Sequence, residues 1–393
     1  MLDQLASSKK IIVVTTSLSC GGITSFLIPL VNFLSNEGHD VTLAYTKDEG
    51  NFLLRLNSTI KLLQYQSLSR KQSIKAWCRH LAFYDMFRVR VRMNNQKPHQ
   101  PSVQRLGYIT AKYVHVTNDK FDVAISTAEG LCNAVVANII NATIKIGWVH
   151  PDMGSIGIDV KAGQKILDRL DYVVAVSEAG YNSLRTYFPK DRQKILHIEN
   201  MMDVEGIKRR GEELIHDVTN LDEGINIVTV CRISNESKRL DRVIKVATIL
   251  RDRQFKFRWN IIGDGPDLAM IKSLVEKYKL QDKVLLLGGR VNPLPYIKQS
   301  DCFVLTSQFE GKPVVIEEAK ILHVPVIVTE YSSAKMQVTP EVGRVVPNED
   351  GLLEIKIADL IMDMEWLNEV RRNNKLFNYS NVMSEEKINT ILA

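Results

Sequence analysis

Residues 302–319 read Cys302-Phe-Val-Leu-Thr-Ser-Gln-Phe-Glu-Gly-Lys-Pro-Val-Val-Ile-Glu-Glu-Ala319. The apolar run Cys302–Leu305 is short and continuous, the pattern of a strand buried on both faces. A polar loop follows, then Pro313 and a second apolar stretch with acids at helical spacing. Pro313 suits the first position of that helix, where a missing N–H costs nothing. Strand, loop and helix in this order are one step of a parallel sheet with helical crossovers.

Outward from this stretch the same rhythm fills the chain. Towards the N-terminus lie the strand-like runs Ile11–Val14, Val41–Tyr45, Val123–Ser126, Ile144–Val149 and Tyr172–Val176. A polar stretch from Asp203 to Gly224 interrupts them. The rhythm then restarts with Ile225–Val230, Trp259–Ile262, Val284–Leu287, Cys302–Leu305 and Val326–Val328. Two such series in 393 residues predict an α/β protein of two doubly wound, Rossmann-like parallel-sheet domains. The expected boundaries are 1–203 and 204–376, with 377–393 a C-terminal helix returning to the first domain. Ligands of this architecture bind beyond the C-terminal strand ends, so a cleft between two such edges is expected.

The loops at those strand ends carry the chemistry. Glu310 precedes the helix that follows Cys302–Leu305, and Glu318 falls about a turn and a half inside it. Both carboxylates can reach one elongated polyhydroxyl ligand, while Glu317 points elsewhere and reads as a surface residue. The N–H groups after Pro313 would meet an anion with the positive end of the helix dipole. An isolated pair of glutamates at this spacing recurs by chance, and context is what gives it weight. The strand Ile225–Val230 runs into Cys231-Arg232-Ile-Ser-Asn-Glu-Ser-Lys238-Arg239, which sets two or three cations where a diphosphate could bind. Ile261-Ile-Gly263-Asp-Gly265-Pro266 and Leu287-Gly288-Gly289-Arg290 are further strand–glycine turns. Near the N-terminus Gly21-Gly22 opens the amphipathic run Ile23–Leu34 without the dinucleotide glycine spacing or a Walker lysine. A tight turn and a phosphate site explain that pair equally well.

The order of these segments resembles the retaining glycosyltransferases of family four, which have the GT-B fold. The resemblance covers nearly the whole chain. It runs through the Gly-Gly loop, the Trp148-Val149-His150 strand end, Val176-Ser177, Asn200, the Arg/Lys loop, Gly263-Asp-Gly-Pro266 and the glutamate pair. The E-G-x-P form at Glu310 and the Trp148-x-His150-x-Asp152 segment are most similar to bacterial enzymes that assemble capsular, exopolysaccharide or teichoic-acid glycans. The resemblance implies a hexosyltransferase with no cofactor, using a nucleotide-sugar, a UDP-sugar above all, as donor and a growing lipid-linked glycan as acceptor. No Asp-x-Asp pair stands at a strand end to hold a divalent metal beside the diphosphate, so metal independence is expected. Arg232 and Lys238 are implied to neutralise the departing diphosphate. Glu318 would bind the ribose, Glu310 the hydroxyls of the transferred sugar, and His150 the sugar near its reacting carbon. Gly22, Gly263, the Arg290 region and the backbone of Gly311, Val314 and Val315 would complete the donor site. Glu129 matches a position facing the acceptor. Two departures from the family stand out. Arg232 and Lys238 are six apart, one more than usual, and Arg239 replaces the glycine after the lysine, so either Lys238 or Arg239 can meet the phosphate. Pro313 replaces a common glycine and removes one N–H. A nucleotide-sugar 2-epimerase on the same fold and a non-catalytic partner subunit are the alternatives, and the intact Arg232, Lys238, Glu310 and Glu318 argue against decay.

Composition narrows the setting. The chain has 51 basic and 45 acidic side chains, a net charge of +6, and 45% hydrophobic residues. Residues 70–112 hold ten basic residues against Asp85 alone, so the surplus is local. Within it, Trp77, Leu81, Tyr84, Phe87 and Val91 recur at helical spacing from Ile74 to Met93. Arg88, Arg90 and Arg92 accompany them, as suits an anionic membrane interface. A domain-packing helix with a solvated basic face fits as well, and nucleic acid is the lesser reading because no binding module accompanies the charge. No run approaches the roughly 20 apolar residues of a spanning helix, and no apolar leader follows Met1. The expectation is a cytoplasmic protein, peripheral at the inner face of the membrane. Five scattered cysteines without a C-x-x-C pair predict buried thiols rather than disulfides or zinc.

Overall fold

The structure is a computed structural model and describes residues 8–19, 21–66, 103–153, 158–217, 223–349 and 351–393. The basic segment Ile74–Met93, with Arg88, Arg90 and Arg92, lies outside the described residues, as do Cys20 and Cys78. The chain forms two compact units, Met1–Met201 with Val382–Ala393, and Met202–Asn381.

In the first unit the strands are β1 (Lys10–Val14), β3 (Asp40–Tyr45), β5 (Lys61–Gln64), β6 (Lys120–Ser126), β7 (Asn141–Val149), β8 (Tyr172–Ala175) and β9 (Ile195–His197). Among the described residues they form one parallel sheet in the order β5-β3-β1-β6-β7-β8-β9. A small parallel pair, β2 (Ser17–Leu18) with β4 (Lys47–Asp48), stands apart. Alternation along β1 explains why the run is uniformly apolar. Ile11 and Val13 enter a core with Phe26, Leu30 and Trp148, whereas Ile12 and Val14 enter another with Val135 and Phe188. The Val382–Leu392 helix completes the first of these cores with Ile388, Ile391 and Leu392. Its Ser384 Oγ donates to Glu199 O at 3.0 Å and its Lys387 Nζ to His197 O at 2.9 Å.

In the second unit the strands are β10 (Ile225–Val230), β11 (Phe257–Ile262), β12 (Val284–Gly288), β13 (Cys302–Leu305), β14 (Val326–Thr329) and β15 (Gly343–Val346). They form a parallel sheet in the order β12-β11-β10-β13-β14-β15. Ile227, Trp259 and Val304 pack on one face with Ile244 and Ile357, and Val228, Phe303 and Leu305 on the other with Ile316 and Ile321. In both sheets the strand order reverses once, between β1 and β6 and between β10 and β13. Loops that leave the carboxyl ends of such neighbours splay apart and leave a crevice.

The polar stretch after Asp203 is not an open linker. Residues Val204–Gly211 form a helix capped by Asp203, whose carboxylate accepts the Gly206 N–H at 2.9 Å. Ile207 anchors it in the core that holds Leu294 and Ile316. One buried isoleucine among Lys208, Arg209 and Arg210 leaves no apolar periodicity to read. The chain passes between the units at Met201–Met202 and again at Asn381–Val382. There Asn381 donates to Met202 O at 2.9 Å and accepts the Met202 N–H at 3.0 Å.

Candidate active site

In the second unit the loops after β10 and β13 flank the crevice, and they meet through a charge pair. A single helical turn, Asn235–Lys238, follows β10 and delivers Lys238, whose Nζ donates to Glu310 Oε1. Ser307 Oγ, at the end of β13, donates to the same carboxylate oxygen at 2.7 Å. The two charged side chains are only 20% and 11% exposed, so each is largely removed from water and held by the other. Arg239 turns away: its guanidinium grips Asp241 through two bonds of 3.0 and 3.1 Å. Its φ of 50° is left-handed, a conformation glycine adopts freely and other residues only at a cost. Arg232 is exposed at the end of β10, with no ion-pair partner among the described residues. Burial pushes the neighbouring Cys231 thiol up to about 12, which favours its protonated form.

Residues absent from the sequence reading hold these loops in place. Arg242 is 1% exposed and donates to Thr306 O at 3.2 Å and to Gln308 Oε1 at 2.8 Å. Thr306 Oγ1 donates to the carbonyls of Lys238 and Arg239 at 3.1 and 3.0 Å, and Gln308 N donates to Ser237 O at 2.8 Å. The two loops are therefore one bonded body. The available signal was a cation on the buried side of the Leu240–Asp252 helix, among Leu240, Val243 and Ile244.

The Val314–Ile321 helix begins one residue later than expected. Pro313 is its extended cap, with φ −66° and ψ 118°, rather than its first helical residue. Proline fixes φ alone, and this ψ leaves the peptide turned out of the helix. The N–H groups of Gly311, Val314 and Val315 bond no described residue. Glu317 is corrected from surface to interior: it is 5% exposed, pairs with Lys320 at 2.8 Å and accepts from Gln337 at 3.1 Å. An eight-residue helix packed against core on most sides has little surface to offer. Glu318 is also buried, and with Asp203 its charge helps keep the part-buried Arg210 protonated against desolvation.

The glycine turns are required by close approach of backbone. Gly263 has φ 145°, and a Cβ there would lie 1.8 Å from Cys231 O. A Cβ on Gly265 would lie 2.1 Å from Ile233 O. These contacts fasten the turn after β11 to the loop that carries Arg232 and Lys238. Asp264 accepts the Gly289 N–H at 2.7 Å, which ties in the turn after β12. Arg290 is held by Tyr296 at 3.2 Å and by Asp217. Hydrogen bonds from Tyr296 and Arg290 keep the Asp217 carboxyl below its ordinary pKa.

In the first unit, the ends of β6 and β7 bring Glu129 and His150 together. Glu129 Oε2 accepts the His150 N–H at 3.3 Å, and His150 Nε2 lies 2.8 Å from Thr127 O. A carbonyl can only accept, so Nε2 carries the proton and Nδ1 is the basic nitrogen. Burial lowers the imidazole pKa; the Glu129 charge and the Thr127 carbonyl oppose the shift. Phe26 meets the ring edge-on at 5.5 Å. Gly22 begins the Gly22–Asn36 helix after β1, and a Cβ on Gly21 would meet nothing within 4 Å, so the helix start is open.

Residues 212–377 match the family of glycosyl transferases group 1. The match lies within the second unit, Met202–Asn381. Among relatives of the chain is a putative colanic acid biosynthesis glycosyltransferase, WcaL, of Escherichia coli, 31% identical over 137 residues, 32% of this chain and 33% of that one. The chain spans about half or less of the length of the curated relatives it matches. Solved structures extend the likeness over its whole length. S. aureus TarM, in complex with fondaparinux, alpha-GlcNAc-glycerol and UDP, has a TM-score of 0.67 at 14% identity, covering 98% of this chain and 99% of that one. Anabaena HepE in complex with UDP-glucose has a TM-score of 0.67 at 16% identity and the same coverage. At these identities the likeness is one of fold, and that fold is GT-B.

Proposed function

We propose that the protein transfers a sugar from a UDP-sugar to a growing glycan of the cell surface, with retention of anomeric configuration. The observation that carries this reading is the Lys238–Glu310 pair at the sheet's reversal point, beside a helix start with unbonded N–H groups. Departure of a nucleoside diphosphate builds negative charge on phosphate and positive charge on the sugar ring. Cations and fixed N–H dipoles stabilise the first, and they act best where water is excluded. Arg232 and Lys238 take the diphosphate, and the backbone of Gly311, Val314 and Val315 cradles donor oxygens. Glu310, released from Lys238, accepts from sugar hydroxyls, and Glu318 takes the ribose. Gly263 and Arg290 shape the nucleotide end. In the first unit we assign neutral His150 to the transferred sugar, Gly22 to the diphosphate and Glu129 to the acceptor side. Glu129 also orients His150 through its N–H.

The reaction we infer is a front-face displacement. The bond from the anomeric carbon to the diphosphate oxygen breaks, the acceptor oxygen bonds to that carbon on the same face, and the acceptor proton passes to the departing phosphate. Support for UDP as the nucleotide comes from the ligands named for TarM and HepE. Support for a glycan product comes from the name of WcaL. The test is to incubate purified protein and an isoprenoid-linked glycan with a panel of nucleotide-sugars and to follow UDP release and product anomer. Turnover with a UDP-sugar that Glu310→Ala abolishes is expected; turnover undiminished in that variant, or an inverted product, removes the reading. The acceptor side carries its own test, sedimentation with anionic vesicles. Replacing Arg88, Arg90 and Arg92 by Ser is expected to reduce binding, and unchanged binding removes the membrane role of that segment.

A further inference from the structure

The loop that carries Glu310 is bonded from behind by one short stretch, 332–337. Ser332 Oγ donates to Glu310 O at 3.1 Å, Ser333 Oγ donates to Gly311 O, and Gln337 Nε2 donates to Pro313 O at 2.9 Å. Three carbonyls of four consecutive residues therefore face the same neighbour. In a planar trans peptide the carbonyl and the following N–H point in opposite directions, and no peptide bond among the described residues is cis. Fixing the carbonyls of Glu310, Gly311 and Pro313 thus aims the N–H groups of Gly311, Lys312 and Val314 away from residues 332–337. We propose that Ser332, Ser333 and Gln337 are positioning residues that hold this loop so that the Gly311 and Val314 N–H groups face the oxygens of the bound donor. The role assigned to those N–H groups rests on the donor reading above.

The back wall is itself rigid. Ser333 and Gln337 are 2% and 3% exposed. Gln337 uses its whole amide: Nε2 reaches Pro313 O and Glu317 Oε1, and Oε1 accepts from Tyr331 OH at 2.9 Å. Its own carbonyl accepts from Lys320 Nζ at 3.0 Å, and Lys320 pairs with Glu317. Burial of Glu317, unexplained by a role in ligand binding, follows from this network. Donors fixed in advance of the reaction need no reorientation when charge develops, which is the condition under which backbone N–H groups stabilise a transition state most.

The experiment uses the full chain as wild type, S332A, S332A/S333A and S332T/S333A. For the double alanine variant we expect kcat with the UDP-sugar to fall by on the order of tenfold or more, with KM changing less than about threefold. S332T/S333A, which returns one hydroxyl, is expected to recover part of the loss. A ligand-free readout accompanies this: with 15N-glycine labelling, the Gly311 amide is expected to show an order parameter near 0.85 in the wild type and a clearly lower one in the double variant. Should the double variant not fold, S332A at an exposed position gives both readouts. Unchanged kcat together with an unchanged Gly311 order parameter overturns the proposal. A wild type that turns over no UDP-sugar overturns the donor reading instead, and the Gly311 dynamics then decide the positioning role alone.

Discussion

Glu310 occupies Lys238 when no donor is bound, so the two halves of the charge pair have separate fates on binding. A diphosphate competes with the carboxylate for the ammonium, and Glu310→Gln removes the competitor. UDP is expected to bind that variant about fivefold more tightly, from an ion pair worth about 1 kcal/mol, while turnover is lost. Isothermal titration of both proteins checks it; weaker UDP binding by E310Q would show that Glu310 holds Lys238 in place rather than against the phosphate. Arg239 presents the opposite case of a residue whose side chain is secondary to its backbone. Arg239→Gly gives up the grip on Asp241 but relieves a left-handed residue, at about 1 kcal/mol each. Urea unfolding should therefore find the two proteins within about 1 kcal/mol, and a loss several times larger would sink this account. His150 carries the pH dependence. Its folded pKa lies below the ordinary 6.5, so the unfolded chain takes up the proton first as pH falls. The stability it contributes is present above pH 6.5 and is lost as pH drops through the lowered folded value. Thermal melts from pH 7.5 to 5 should fall more steeply for wild type than for His150→Gln; parallel slopes would contradict this.

Among the elements, the turn after β11 is where backbone fit matters most. Gly263→Ala forces a methyl against Cys231 O from a positive φ, and it displaces the loop of Arg232 and Lys238. We expect a loss of more than about 2 kcal/mol on unfolding, and a well-folded variant of unchanged stability would mean that the turn can relax. The glycines were legible in sequence because strain of this kind leaves a local mark. The strands were legible for a related reason: two-sided burial in β1 and β10 forces uninterrupted apolar runs. Edge strands β5 and β15, with Lys61, Gln64, Gly343 and Arg344, carry no such run. The Val204–Gly211 helix was hidden because one isoleucine suffices to anchor two turns. Glu310 and Lys238 could be picked out as chemistry, but Arg242, Ser332, Ser333 and Gln337 could not. Their main-chain partners lie 22 to 64 residues away, and a carbonyl leaves no trace in sequence.

For the whole molecule, the division into units has a direct test. Residues 202–381 are contiguous and hold two core clusters of their own. Expressed alone, this segment should unfold cooperatively in urea and bind UDP, while a chain ending before Val382 should lose the first unit's cooperativity. Three buried apolar side chains of the last helix are at stake there, on the order of 5 kcal/mol. A first unit that melts unchanged without residues 382–393 would contradict this.

The same helix sets an order of events during synthesis. A ribosome that has finished Met201 has not yet made Ile388, Ile391 or Leu392, and the core that holds Trp148 is still incomplete, covered by the Gly22–Asn36 helix but not by the last one. At about 5–20 residues per second, the whole of Met202–Asn381 must be translated before that face can close. The second unit, whose residues all arrive together, can finish first. Chain order and folding order are then reversed, and the part-covered first sheet is the surface a chaperone would have to guard in the interval.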